Sequence, residues 1–149
     1  MSIFRTTRTV RFSHCDPAGI IFYPRYFDLI HEAKEDWFKE ALDWPFAPMI
    51  SEMRNGFPIV RLEADFRGPS RIGDELTIAL WVPVLGGASM HLHYAVTCNG
   101  APRLDARTVI VHVNLDTGRP LPIGEALRAR IEGFRGEGAS AGAASAAGR

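Results

Sequence analysis

Apolar and polar residues change their spacing three times along this chain. Ile3 to Phe12 is rich in Thr, Val, Ile and Phe and predicts a first strand. It stops at Ser13-His14-Cys15-Asp16-Pro17-Ala18-Gly19, where Asp, Pro and Gly occupy the first, second and fourth places of a type I turn. From Pro24 to Leu42 the spacing becomes helical, with Tyr26, Ile30, Ala33, Trp37 and Ala41 on one face. Asp28, Glu32, Glu35, Asp36 and Lys39 lie mainly opposite, and Leu29 and Phe38 widen the apolar side. Pro24 suits the first turn of that helix, and Trp44-Pro45-Phe46 ends it. Ala47 to Asn55 reads as a short irregular or helical connector.

Four alternating runs follow. Val60, Leu62, Ala64 and Phe66 form the first, and Leu76, Ile78, Leu80 and Val82 the second. Met90, Leu92, Tyr94 and Val96 form the third, and Val109, Val111, Val113 and Leu115 the fourth. A period of two predicts a sheet with one face on a core. Gly-rich breaks at Leu85 to Ala88 and Asn99 to Arg103 are short enough for hairpins, and Gly124 to Glu132 suits a terminal helix. The order of strand, long helix and four more strands is α+β: an antiparallel sheet of about five strands wrapped around one long central helix.

Composition narrows the class. Hydrophobic residues make up 46% of the 149, enough for one domain. The domain is expected over residues 1–134, with 135–149, almost all Gly, Ala and Ser, as a disordered tail. Net charge is zero with no basic stripe, which argues against a nucleic-acid partner. No apolar run approaches a membrane span, and no signal peptide is recognisable. Two cysteines, Cys15 and Cys98, indicate no disulfide framework, so a cytoplasmic protein with reduced thiols is expected.

His14-Cys15-Asp16-Pro17-Ala18-Gly19-Ile20-Ile21-Phe22-Tyr23-Pro24 resembles the signature of the 4-hydroxybenzoyl-CoA thioesterase family. Gly56-Phe57-Pro58-Ile59-Val60 and Arg71-Ile72-Gly73-Asp74-Glu75-Leu76-Thr77 resemble its later segments, so the similarity runs from Thr6 to about Leu115. The resemblance implies the hot-dog fold, hydrolysis of an acyl-CoA without a cofactor, and a homodimer or homotetramer. It also implies that the Tyr23 backbone N–H is the oxyanion donor, with Gly19 letting the chain approach closely. Gly19, Phe22, Tyr26, His31 and Pro58 then become candidates for binding the substrate. In the 4-hydroxybenzoyl branch, an Asp that receives the substrate's ring hydroxyl stands where this chain has His31.

Thioester hydrolysis needs a group that attacks the carbonyl or activates water, and donors for the developing negative oxygen. Asp16, in a tight turn just before a helix, can be that nucleophile or general base, and the helix start offers unpaired N–H groups. Asp16 can equally be a residue that only caps its turn. A Cys15–His14 pair is disfavoured, because neighbours in an extended segment point opposite ways. His91 and His93 share a strand face but lack further ligands, so no metal site is expected. The CoA phosphates need basic partners. The relatives' basic hairpin here reads Leu85-Gly86-Gly87-Ala88, which leaves Arg61, Arg67, Arg71 and Arg107 and keeps a different acyl carrier open.

The leading expectation is thus an acyl-CoA thioesterase with an aromatic, 4-hydroxybenzoyl-like acyl group. The alternatives are a broad short- or medium-chain aliphatic thioesterase and a non-catalytic acyl-CoA-binding module.

Overall fold

The computed structural model describes residues 1–137. Strand β1 (Phe4–Thr9) leads through a 3-10 turn (Phe12–His14) to helix α1 (Pro24–Asp36), and a short helix α2 (Phe46–Ser51) follows. The later strands are β2 (Asn55–Gly56), β3 (Ile59–Phe66), β4 (Glu75–Leu85), β5 (Ser89–Cys98), β6 (Ala101–Val111) and β7 (Val113–Asn114). Helix α3 (Glu125–Glu132) closes the order. The main sheet is antiparallel and runs β1-β4-β5-β6-β3, while β2 and β7 form a separate small ladder. This is the hot-dog arrangement, α+β as expected. The tail expected over 135–149 lies outside the described residues from 138 onward. Before that point, Val82 N–H donates to the Phe134 carbonyl at 3.0 Å and Gly136 N–H to the Val82 carbonyl at 3.0 Å.

The core lies between α1 and the inner face of the sheet. Tyr26, Leu29, Ile30, Ala33, Trp37 and Phe38 meet Leu76, Ile78, Leu80 and Val82 of β4 and Met90, Leu92, Tyr94 and Val96 of β5. Arg8 ties β1 to the helix through ion pairs to Glu32, at 3.1 Å, and Asp36. The regular helix stops at Asp36, short of the expected Leu42. Trp37–Ala41 form one wide turn, in which Leu42 N–H reaches back to the Trp37 carbonyl at 3.1 Å. The extra residue in that turn lets Trp37, Phe38 and Leu42 all face the core.

Two expectations about the strands are corrected. In β6 the buried phase is Leu104, Ala106, Thr108 and Ile110, whereas Val109 and Val111 are only partly covered. Register with β5 decides this, because Met90 and Ile110 face each other across the ladder. In β3 only Ala64 of the alternating residues packs against the core. Val60, Leu62 and Phe66 are 62%, 39% and 49% exposed. The strand is an edge, joined to β6 alone, and a bulge between Ile59 and Arg61 breaks its alternation.

Candidate functional site

The segment before α1 is a small closed hairpin. Cys15 bridges Ile21, Asp16 N–H donates to the Ile20 carbonyl at 2.9 Å, and Phe22 N–H donates to the His14 carbonyl at 2.9 Å. Gly19 N–H returns to the Asp16 carbonyl at 3.0 Å, closing the predicted turn. Gly19 has φ +75°, a left-handed conformation that other residues adopt at a cost. Within the protein itself, crowding is not what requires glycine there. A Cβ would meet only Ile72 Cγ2, at an ordinary 3.9 Å. The requirement is torsional.

Asp16 does cap the turn, but with one oxygen. Its Oδ1 accepts from Ala18 N–H at 2.9 Å and from Ile20 N–H at 3.3 Å. Oδ2 takes no hydrogen bond from any described residue. The hairpin delivers the chain into α1, where Tyr23 is the N-cap and Pro24 the first helical residue. Tyr23 N–H donates to no acceptor among the described residues. Pro24 has no N–H to compete with it, and the helix dipole adds positive potential.

Beside this start lies a groove of about 350 Å³, lined by Ile20, Ile21, Tyr23, Tyr26, Phe66 and the segment Arg67–Pro69. Ile21 N–H donates to the Ser70 carbonyl at 2.8 Å and Ile72 N–H to the Gly19 carbonyl at 2.9 Å, which hold that segment against the hairpin. Tyr26 is buried at the groove's floor, its hydroxyl 2.6 Å from Ser70 Oγ. Phe66 packs edge-on against Tyr23 at 6.0 Å and contacts Tyr26 and Phe27 at 6.0 and 6.2 Å. Asp16 is not itself a lining residue; its hairpin borders the groove through Ile20 and Ile21.

Of the other expected substrate residues, Phe22 is half exposed beside Tyr23, its ring 5.5 Å away. His31 is exposed on α1, where it borders a second cavity of about 340 Å³ between the helix and β3. Burial lowers its pKa first, and the charge of Lys34 second. Pro58 is not brought to the groove. It precedes β3 at the end opposite Phe66, about 25 Å away along an extended strand, and its carbonyl accepts from Val111 N–H at 3.1 Å.

Most of the basic candidates are already engaged. Arg61 pairs with Glu63, and Arg107 pairs with Asp65 at 2.9 Å and Glu63 at 3.4 Å. Arg67 lies 3.5 Å from buried Asp105 and 3.7 Å from Asp65. Arg71 differs. Its backbone bridges Ile20 beside the hairpin, and its guanidinium has no ion pair among the described residues. Among those residues no cluster of His, Cys, Asp and Glu could hold a metal ion.

Residues 10–131 match the profile of the thioesterase-like superfamily. The chain belongs to that superfamily. Its chemistry is thioester hydrolysis. It is 34% identical over 122 residues to the 1,4-dihydroxy-2-naphthoyl-CoA hydrolase of Acaryochloris marina, covering 78% of this chain and 88% of that protein. A thioesterase-superfamily structure from Jannaschia sp. CCS1 superposes with TM-score 0.83 at 26% identity, covering 91% and 94% of the two chains. A gentisyl-coenzyme A thioesterase superposes with TM-score 0.76 at 26% identity, covering 87% and 99%.

Phe66, Ser70 and Lys34 were missed at the level of sequence. Lys34 had a signal: it falls four residues after Ile30 and four before Phe38, inside the apolar arc of the helix.

Proposed function

We propose that this protein is an acyl-CoA thioesterase for an aromatic acyl group. In this reading Asp16 is the carboxylate that attacks or activates water, and the Tyr23 N–H is the oxyanion donor. The observation that carries it is Asp16 itself. Two backbone N–H groups fix the side chain through Oδ1 and leave Oδ2 without a partner among the described residues, in the hairpin that leads into α1, where Tyr23 N–H likewise meets no acceptor among them. A fixed carboxylate loses little freedom on reaching the transition state, and a preset donor needs no reorganisation as charge develops.

Hydrolysis consumes water and the thioester and releases the free acid and the CoA thiol. Oδ2 either bonds to the carbonyl carbon, expelling the CoA thiolate to give an anhydride that water then hydrolyses, or takes a proton from the water that attacks the carbonyl and expels the thiolate. The aromatic preference is supported by the aromatic walls of the groove, and by two relatives whose names carry aromatic CoA thioesters. His31 and Phe22 stay in this reading as rim contacts, and Arg71 as the contact for the CoA phosphates. The reading also includes a homodimer that covers β3, and a cytoplasmic enzyme. Unbridged Cys15 and Cys98 agree with a reducing compartment.

Asp16→Asn tests the central claim. The variant keeps the oxygen that caps the turn but loses the anion. It is expected to fold normally, to bind CoA thioesters, and to turn over at least about a hundredfold more slowly. Released thiol on a panel of aroyl- and alkanoyl-CoA substrates is the readout. Near-wild-type turnover would leave Asp16 with the turn alone, and an alkanoyl chain-length optimum would replace the aromatic preference.

A further inference from the structure

Lys34 is 2% exposed, on the face of α1 that turns toward the sheet. It borders the cavity of about 340 Å³ together with Phe27, Ile30, His31, Leu62 and Tyr94. Its ammonium forms no hydrogen bond or ion pair with any described residue. The other ionisable groups around the cavity do not compensate it. Asp28 is engaged by Arg25 at 3.1 Å, and burial holds His31 toward its neutral form. Burial also raises the Tyr94 hydroxyl well above its ordinary value, so it contributes no anion. Removing an unpaired ammonium from water is costly, and burial lowers the Lys34 pKa to about 8, which still leaves it mainly a cation at neutral pH. A cation kept at such a cost, facing open volume, is suited to an anion that arrives with a ligand.

We propose that Lys34 is a specificity residue that receives an acidic oxygen, a carboxylate or a phenolate, on the side of the acyl group far from the thioester. The inference rests on the thioesterase reading and deepens it. Phe66 lines the groove at the helix start, and its ring contacts Phe27, which lines the cavity. Lys34 lies eleven residues beyond Tyr23, about 16 Å along the helix axis, shortened because helical side chains lean toward the N-terminus. That reach suits two fused rings lying along α1 better than one. Leu62 of β3 and Ile30 of α1 provide the apolar walls, and Lys34 the polar end.

The test compares 2-naphthoyl-CoA, 6-hydroxy-2-naphthoyl-CoA and 6-carboxy-2-naphthoyl-CoA with wild type, Lys34→Met and Lys34→Arg. Wild type should favour one or both acidic thioesters. Lys34→Met should lower kcat/KM for them about tenfold or more relative to plain 2-naphthoyl-CoA, chiefly through KM, and Lys34→Arg should restore the preference. An effect on the carboxylate alone, or on the phenol as well, identifies which oxygen is bound; either supports the inference. Thermal melting checks folding, and Lys34→Met should melt no lower than wild type because it removes a buried unpaired charge. If it fails to fold, Lys34→Gln provides the same comparison. An unchanged substrate ratio, an equal fall on all three thioesters, or dissociation of the assembly would overturn the role. If wild type hydrolyses none of the three, the aroyl thioesterase reading itself falls. A wild type that hydrolyses them with a ratio insensitive to Lys34 removes only this inference.

Discussion

In the proposed mechanism Asp16 joins two roles that sequence reasoning sets against each other. Oδ1 holds the turn and Oδ2 has no partner among the described residues, so in that mechanism capping would hold the reactive oxygen in place. Arg71 shows how partners decide what a charge can do. Arg61, Arg67 and Arg107 each face a carboxylate, and an anionic ligand would have to compete for them. Arg71 carries no such partner among the described residues and sits beside the hairpin. An exposed charge contact is worth up to about 1 kcal/mol, so Arg71→Ala should raise KM for a CoA thioester about fivefold. The matching pantetheine thioester, which lacks the nucleotide phosphates, should show little change, and added salt should shrink the difference. Initial-rate kinetics on the two thioesters checks this. The Asp16-Pro17-Ala18-Gly19 turn was legible because its conformational rules are local. The division of work between the two carboxylate oxygens was not, because it depends on where Ala18 and Ile20 point their amides.

At the scale of elements, the sheet has a second, outer layer that alternation alone did not reveal. Trp81 of β4 faces His93 of β5 in register and stacks on it, with ring centroids 4.4 Å apart. Asp105 of β6 sits 3.3 Å from His93 Nε2, with Arg67 and Arg107 the neighbouring cations. Burial lowers the His93 pKa, outweighing the opposing pull of Asp105. In the folded state the ring therefore takes its proton at lower pH than in the unfolded chain, where the ordinary value is 6.5. The stability tied to the neutral ring is present above that value and is lost as pH falls toward the folded pKa. His93→Gln should flatten this part of the acid response. Urea midpoints measured between about pH 7.5 and 5.5 should fall less steeply for the variant than for wild type; equal slopes would remove His93 as a contributor. The two histidines of β5 were read as sharing one half-exposed face. Their different burial comes from what β4 and β6 place beside each.

In the whole molecule the main sheet has two edge strands, β1 and β3, and it is β3 that exposes large apolar residues. Among the described residues strand β3 pairs with β6 on one side and with no strand on the other, and it leaves Val60, Leu62 and Phe66 substantially exposed. Phe22 and Tyr23 add exposed aromatic area beside Phe66. An apolar edge of this kind invites a second chain. The proposed homodimer pairs this edge, placing the groove and the Lys34 cavity near the interface. Val60→Glu, which puts a charge on the open edge, should shift the protein toward monomer in light scattering and lower thioesterase activity with it. A variant that stays dimeric would move the interface elsewhere.

The sequence by itself determined the element order, the turn that carries Asp16, the helix that starts at Pro24 and the inner faces of β4 and β5. Those follow from period, capping and turn chemistry, which act over a few residues. Only the tertiary structure decided which phase of β6 faces inward, that β3 is an edge, and that Arg71 alone among the basic candidates meets no carboxylate among the described residues. It also decided that Lys34 is buried beside a cavity. These are relations between residues far apart in the chain. They depend on strand register, on which element covers which, and on whether a charge meets a partner, and a local pattern carries none of that information.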